Sequence, residues 1–339
     1  MANFKQLLAK IKKGPQDIVG INFCPSGVQC VRIKKTNGDT SVVSADILPA
    51  FTFDAESKEL FHLPKPLQAR YVSICVPGND AVVKLLNLPG QLEGDVQTQI
   101  KEHLGVGAGD YRIGYRVITH GHGRTETKLL AVAIPEAEAQ SACALFSVGW
   151  PAPISVEISG LAAMTAFLQG PAMAHQEQAV GVIELGARVT FATFFNKGEF
   201  VLIRKFDSGY FDLIDRIQQN MSVDHATAAN IMADGSFDIS QIVKEVSEPF
   251  IKQLVISKHF IERRENCRIA RLYSPSGKMI SRDWLNEVKS AVGVNVEFWN
   301  PFEGILMPDA IAQQFEGQFA HFSSALGAVL GTFEESAAE

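Results

Sequence analysis

Cysteine is scarce in this sequence, and its placement excludes two kinds of small-protein scaffold. The five cysteines are odd in number and show no C-x-x-C spacing; they are Cys24, Cys30, Cys75, Cys143 and Cys267. Disulfide frameworks and structural zinc sites both need paired cysteines, so neither is expected here. The sequence instead predicts small buried thiols in a reducing compartment.

Long apolar runs and an excess of positive charge are also missing. No apolar stretch is long enough to cross a bilayer as a helix, and the N-terminus lacks the pattern of a signal peptide. We therefore expect a cytoplasmic protein. The net charge of −6 argues against a general nucleic-acid binder. The length of 339 residues suggests two domains.

The N-terminal segment, residues 1–14, departs from this acidic average. It contains four lysines and no acidic residue, and apolar residues recur in it at helical spacing: Phe4, Leu7, Leu8 and Ile11. This pattern predicts a short basic amphipathic helix that lies on an anionic membrane surface. A frayed tail, or a helix packed on its own domain, is the alternative that the residues leave open.

A hairpin pattern occurs twice along the chain. Residues 18–23 and 28–35 read as strands around a turn, and Asn37–Gly38 then leads into a third strand over residues 40–49. The same order of strand, tight turn and strand begins again near residue 180. Internal similarity on this scale suggests two related halves, each started by a hairpin.

Helical periodicity places further elements between and after the hairpins. Residues 79–134 read as strand, helix, strand, strand. The second half predicts helices over residues 208–221, 223–233 and 238–264, where Pro249 should kink or break the helix. A final helix is predicted near residues 316–332, followed by a disordered acidic tail after Phe333.

Polar residues at the two hairpin turns are the strongest candidates for chemistry. The first turn has Asn22 before it and Ser26 and Gly27 within it, and the second has Glu184 followed by Gly186. Backbone N–H groups of two facing turns could clamp phosphates, and a carboxylate there could hold Mg²⁺ through water. The alternative is that hairpins simply need turn residues.

Three other motifs carry less chemistry. The turn at residues 274–278 follows a predicted strand, but it lacks the upstream glycine of a Walker A motif. His120 and His122 have spacing that suits a metal, yet flanking glycines favour an exposed loop. No serine lies in a nucleophile elbow, and no paired carboxylates stand out.

The ordered set of motifs resembles a known family. The set is "IVGINFCPSGVQCVRIKK", "YVSICVPGNDAVVKLLNLPG", "LLAVAIP", "VIELGARVTFATFF", "LYSPSGKM", "VEFWNPFEGI" and "SSALGAVLG". It looks like the PilM-type pilus-assembly proteins, members of the actin-like ATPase superfamily related to the cell-division protein FtsA. The resemblance extends from residue 1 to about residue 332 and implies an α/β, actin-like (ribonuclease H-like) two-domain fold with an inserted strand–helix–strand–strand 1C subdomain.

The resemblance also implies domain boundaries. Residues 15–78 and 151–178 would form subdomain 1A, and residues 79–150 the inserted subdomain 1C. Residues 179–311 would form the second actin-like domain. The helix within residues 312–333 would pack back on the first domain, and ATP with Mg²⁺ would lie in the cleft between the halves.

Several positions differ from the family pattern for nucleotide binding. Asn22 replaces the usual Asp, Cys24 a Gly and Gln29 a Lys, whereas Glu184 and Gly186 are conservative. At the adenosine turn, Ser276 and Gly277 fall where consecutive glycines are usual. The resemblance makes seven residues candidates for nucleotide binding: Asn22, Ser26, Gly27, Glu184, Gly186, Ser276 and Gly277. The losses of charge predict weak or absent ATP binding and no hydrolysis.

The function that the resemblance implies is a cytoplasmic scaffold of a type IV pilus or related secretion platform, peripheral to the inner membrane. The tail of an inner-membrane PilN-like partner would dock as a strand near residues 79–134. The resemblance also allows contact with the pilus motor ATPase and self-association. The rival hypotheses are an active actin-like ATPase and an FtsA-like cell-division filament protein.

Overall fold

The computed structural model describes most of the chain. The described residues are 15–24, 27–36, 38–51, 60–90, 95–107, 109–119, 126–146, 149–170, 175, 177–234, 237–274 and 282–338. The basic helix predicted over residues 1–14, the Asn37 turn position and the His120–His122 loop lie outside them. Among the described helices, none combines the length and the apolar character needed to span a membrane.

The strands of the described residues are β1 (Asp17–Cys24), β2 (Gly27–Thr36), β3 (Asp39–Leu48), β4 (Tyr71–Val76), β5 (Val82–Pro89), β6 (Tyr111–Thr119), β7 (Glu126–Pro135), β8 (Ala152–Ile158), β9 (Ala179–Leu185), β10 (Thr190–Asn196), β11 (Glu199–Phe206), β12 (Ile269–Ser274) and β13 (Asn295–Phe298). The helices are α1 (Val96–Leu104), α2 (Glu136–Ala144), α3 (Ser159–Gln169), α4 (Tyr210–Met221), α5 (His225–Asp234), α6 (Ser240–Arg264), α7 (Arg282–Val292), α8 (Asp309–Gln314) and α9 (Ser323–Ala338). Short 3-10 turns occur at Lys65–Leu67 and Phe319–Phe322.

Two sheets share one topology. The first has the strand order β3-β2-β1-β4-β8 and the second the order β11-β10-β9-β12-β13. In each, an antiparallel meander is followed by two strands added in parallel. Their central strands are apolar almost throughout because helices and loops cover both faces of the sheets. The prediction of two related halves, each started by a hairpin, is confirmed.

A third, smaller sheet is inserted after β4. Its strand order is β5-β7-β6, all antiparallel, and α1 covers one face through Ile100 and Leu104. Asp95 caps α1 by accepting a hydrogen bond from the Thr98 N–H at 3.2 Å, and Gly105 ends it with φ of +74°. The predicted order of strand, helix, strand and strand is therefore confirmed, whereas the domain boundaries stay predictions.

Helix α3 lies between the two large sheets and depends on small residues. A Cβ on Gly160 would come within 2.3 Å of the Phe191 ring on β10. A Cβ on Gly327 of α9 would come within 1.7 Å of the Ala162 carbonyl oxygen of α3. The absence of these side chains allows α9 to pack on α3 and allows α3 to pack on the second sheet.

Predictions about two helices can be compared with the structure, and the one about the C-terminal tail was wrong. Helix α9 continues to Ala338, so the expected disordered tail after Phe333 is helical instead. Phe333 is buried and Glu334 pairs with Arg116 at 3.2 Å, and both contacts fix the helix beyond that point. Helix α6 runs from Ser240 to Arg264 with the exposed Pro249 inside it, so Pro249 does not break the helix, and the alternative of a kink there stays a prediction.

Candidate functional site

The first hairpin ends in a neutral polar network. Asn22 of β1 lies opposite Gln29 of β2, and the Asn22 Nδ2 donates a hydrogen bond to Gln29 Oε1 at 2.7 Å. Ser159, the first residue of α3, donates from Oγ to Asn22 Oδ1 at 2.7 Å. All three side chains are buried. The network satisfies the buried amides without a charge on any of the three residues.

The second strand of this hairpin must begin with glycine. Cys24 pairs with Gly27, which has φ of +138°, and a Cβ at Gly27 would lie 2.6 Å from the Leu48 carbonyl oxygen. Another side chain at position 27 would clash and would be strained. Ser26, the remaining candidate of this turn, lies outside the described residues.

The second hairpin places one carboxylate at the end of β9. Glu184 is buried, and this burial raises the pKa of its carboxyl from 4.5 to about 7. Two residues later, the Gly186 N–H donates to the Val189 carbonyl at 2.9 Å. The backbone donor expected to clamp a phosphate at Gly186 is therefore already used within the turn.

The N-terminus of α4 is closed by the same hairpin. The N–H groups of Tyr210 and Phe211 donate to the carbonyls of Gly186 and Ala187, both at 2.9 Å. The Gly209 N–H donates to Asp212 Oδ2 at 2.8 Å. These bonds satisfy donors that the first turn of a helix otherwise offers to an anion.

The first two residues of α3 join the hairpins. Ser159 contacts Asn22 of the first hairpin, and Gly160 packs on Phe191, which is the β10 partner of Glu184. The start of α3 thus contacts Asn22 directly and meets the second hairpin through Phe191, while Gly27, Glu184 and Gly186 lie on the same two hairpins. Ser276 and Gly277 lie outside the described residues.

Sequence reasoning missed Ser159, which connects this network to α3. Its only signal was a small polar residue directly after a predicted strand and at the start of a predicted helix. Such a residue usually caps its own helix, but no side-chain cap is formed at this helix start. Its Oγ instead lies 2.7 Å from Asn22 and 3.0 Å from the Val76 carbonyl.

A second candidate site is a groove between the first and third sheets. In the described residues, β8 is an edge strand of the first sheet and β6 is an edge strand of the third. Both line a cavity of about 740 Å³. Its apolar lining includes Leu130, Ile134, Leu161, Met164 and, more exposed, Tyr115. We name this cavity the edge-strand groove.

The charged residues at the edge-strand groove are partly paired. Arg112 of β6 donates to Glu136 of α2 at 2.5 and 3.1 Å. Arg116 of β6 pairs with Glu334 of α9 at 3.2 Å. Glu157 of β8 also lines the groove, and burial, with the nearby charge of Glu335, raises its carboxyl pKa to about 7.

The chain is similar to several solved structures. One chain of a PilM-PilN type IV pilus biogenesis complex has a TM-score of 0.74 at 14% identity, covering 93% of this chain and 98% of that chain. A Bacteroides thetaiotaomicron protein with actin-like ATPase fold and unknown function has a TM-score of 0.48 at 11% identity, with 89% and 95% covered. The activator of a 2-hydroxyisocaproyl-CoA dehydratase from Clostridium difficile, solved with bound ADPNP, has a TM-score of 0.40 at 11% identity, with 95% and 96% covered.

No protein-family model and no curated protein sequence matches the chain. The class is therefore defined by structure: two sheets of the same topology with an inserted third sheet, which is the actin-like two-domain fold. Within that class, the chain has the architecture of a chain of the PilM-PilN complex. The resemblance inferred from the sequence motifs is confirmed at the level of the fold.

Proposed function

We propose that this protein is a cytoplasmic scaffold subunit of a type IV pilus or related secretion platform. Its edge-strand groove would hold the extended cytoplasmic tail of an inner-membrane PilN-like partner. The observation that carries this proposal is the groove itself, in a chain that shares its architecture with one from a PilM-PilN complex.

The groove suits a peptide strand because both of its walls end in a strand edge. Among the described residues, neither β6 nor β8 has a strand partner on its outer side. An extended peptide can pair with such an edge through main-chain hydrogen bonds, while its alternate side chains enter pockets. The buried side chains of Leu130, Ile134, Leu161 and Met164 offer an apolar floor for those side chains.

We infer that the cleft between the hairpins does not hydrolyse ATP. A magnesium triphosphate needs carboxylates for the metal and cations for the phosphates. Asn22, Gln29 and Ser159 form a neutral network, and the hydrogen bonds of Asn22 to the other two occupy its amide. Glu184 offers one carboxylate, but burial raises the pKa of that carboxyl and so disfavours its charged form. The described residues of the cleft therefore do not fit a magnesium-bound triphosphate.

Membrane association completes the proposal. The basic segment 1–14 would lie on the anionic inner face of the membrane and bring the groove near the partner's tail. One short basic helix is a weak anchor alone, so peptide binding and membrane binding would reinforce each other. Contact with the pilus motor ATPase and self-association stay predictions.

The test of the groove uses a matched pair of substitutions. Ile154→Arg places a charge on the outer strand of the groove, where Ile154 is 37% exposed. Ile256→Arg makes the same change on α6, at a position that is 55% exposed and outside the groove. The cytoplasmic tail of the PilN-like protein from the same genome serves as a labelled peptide in fluorescence anisotropy.

We expect the tail to bind the wild type and Ile256→Arg equally and to bind Ile154→Arg at least tenfold more weakly. Equal binding to all three proteins would mean that the peptide binds outside the groove. Absence of binding to the wild type would refute the proposal. A parallel titration with fluorescent ATP, with and without Mg²⁺, and a phosphate-release assay address the rival function. Clear turnover would favour the active ATPase.

A further inference from the structure

Two carboxylates at the edge-strand groove have no cation beside them. Glu157 lies on β8 next to Ile158, and Glu335 lies on α9 next to Glu334. Within the part of the chain that the structure describes, the side-chain carboxylates of Glu157 and Glu335 form no hydrogen bond and no ion pair. Burial raises the Glu157 pKa, and the charge of Glu335 raises it further.

The arginines of the opposite wall are already engaged. Arg112 makes two hydrogen bonds to the carboxylate of Glu136, a geometry that holds the guanidinium in place. Arg116 pairs with Glu334 at 3.2 Å. Once these pairs are formed, the carboxylates of Glu157 and Glu335 are left without a cation at the groove. The groove therefore favours an occupant that brings a positive charge.

The position of Glu157 determines where the positive charge of the occupant would lie. On β8, Ser155 points to the same side of the strand as Glu157, and its Oγ is 3.1 Å from Thr332 Oγ1 of α9. Glu157 is therefore on the face covered by α9 and α3, near Leu161 and Thr165. A cation must pass along apolar side chains to reach it, and a lysine or arginine side chain has an aliphatic stem for this path.

We propose that the edge-strand groove selects an extended peptide with a lysine or arginine side chain, which pairs with Glu157. This inference rests on the proposed function, since it requires a peptide in the groove. Glu157 would be a specificity-determining residue: the apolar floor gives affinity for many extended segments, and the carboxylate distinguishes those with a correctly placed cation. An ion pair that is partly removed from water is stronger than one on the open surface.

The experiment uses two matched peptide libraries and the full chain. Each peptide is nine residues long, has capped ends, and carries a fluorophore on a Ser-Gly tail. One library has a single lysine among varied Val, Ile, Leu, Thr and Asn positions. The second has norleucine instead, which keeps the aliphatic stem and removes the charge. Fluorescence anisotropy with the wild type and Glu157→Gln gives the four affinities of a double-mutant cycle.

We expect the best lysine peptide to lose about tenfold in affinity, or about 1.4 kcal/mol, when either its lysine or Glu157 is neutralised. Neutralising both should cost no more than neutralising one. Glu334→Gln is the control within the same groove, since that carboxylate is already paired with Arg116. It should change the affinity by less than about twofold.

The dependence of peptide affinity on pH separates pairing from a purely structural role of Glu157, because a structural role would affect lysine and norleucine peptides alike. Pairing needs the ionised carboxylate, so lysine-peptide affinity should fall from pH 8 to pH 5.5, while norleucine-peptide affinity stays nearly constant. The titratable and charged groups that face Glu157 from the surrounding elements are Cys75 of β4, Arg112, Tyr115 and Arg116 of β6, Cys143 of α2, and Glu334 and Glu335 of α9. Glu335→Gln should lower the midpoint of the profile, because its charge raises the Glu157 pKa.

The outcomes separate this inference from the function it rests on. If both libraries bind equally to the wild type and to Glu157→Gln, and Ile154→Arg abolishes the binding, the groove holds a peptide and the role of Glu157 is refuted. If neither library binds the wild type, the proposed function and this inference are both overturned. A lysine preference that persists in Glu157→Gln also refutes the pairing.

Discussion

The buried carboxyl of Glu184 makes the stability of the fold depend on pH in a direction opposite to that of a paired acid. Its pKa is about 7 in the folded protein against an ordinary value of 4.5. Between those two pH values, the folded state keeps a proton that the unfolded state has released. The free energy of unfolding therefore falls as the pH rises from 4.5 to 7, and stays flat above that window.

The magnitude follows from the same two values. The difference between about 7 and 4.5 corresponds to roughly 3 kcal/mol, at about 1.36 kcal/mol for each pKa unit. This is an upper value, since partial solvation of the 9% exposed side chain reduces it. Glu184→Gln removes the charge at nearly constant volume, so it removes this contribution to the pH dependence.

The assay is urea unfolding at pH 5 and pH 8. At each pH, the free energy of unfolding of Glu184→Gln is compared with that of the wild type. We expect this difference to favour the variant by up to about 3 kcal/mol more at pH 8 than at pH 5. Thr193→Val is the control, because Thr193 is buried on the neighbouring strand and does not titrate. Its effect should be equal at both pH values.

A Glu184→Gln difference that does not change with pH would refute the reasoning. It would mean that the carboxylate is ionised in the folded protein, with a solvent path or a positive partner. A difference of the opposite sign would mean that the charged form is stabilised in the fold. Either result would also make the cleft a candidate cation site again, since an ionised Glu184 could hold a cation through water.

Four substitutions test the packing and the neutral network. Asn22→Asp and Gln29→Lys each bury an unpaired charge and should cost about 3–5 kcal/mol in urea unfolding. Because the two side chains are 2.7 Å apart, the double variant should recover more than about 1 kcal/mol, and strict additivity would contradict their contact. Ser159→Ala should cost about 1–3 kcal/mol, since Asn22 Oδ1 loses its donor; an unchanged unfolding midpoint would argue that water replaces it. Gly327→Ala should lower the free energy of unfolding by about 1–3 kcal/mol, and with it Tm, because the added methyl group meets the Ala162 backbone. An unchanged Tm would show that α9 is free to shift.

Local pattern was enough to predict the hairpins and the inserted sheet. Alternation and turn residues predicted β1, β2 and β3 within two residues of their bounds, because a hairpin is built from neighbours in sequence. The helix predicted over residues 92–105 is observed as α1 from Val96 to Leu104, so its end agrees and its start comes four residues later, after the cap Asp95. The two-fold repeat was visible because each half begins with such a local unit.

The edge-strand groove could not be predicted in this way. It requires β8 to pair in parallel with β4, which lies about 80 residues earlier, and no local pattern encodes that distance. The exposed edges of β6 and β8 follow only from the full strand order. Glu157 read as one polar residue of a strand, and its place in a groove that residues of α3 and α9 also line follows only from the fold. Ser159 was missed because its partner, Asn22, is likewise far away in sequence.

The bare backbone of Gly160 has a consequence for motion between the two halves. Its missing side chain lets the Phe191 ring lie against α3, so the spacing between the large sheets is set by van der Waals contact. Lys205 of β11 adds a second tie, since its ammonium donates to the carbonyls of Asn79 and Ala81 just before the inserted sheet. A single methyl group at position 160 would act as a wedge between the halves. Contacts at Gly160 and Lys205 therefore hold the second sheet against α3 and against the segment before the inserted sheet.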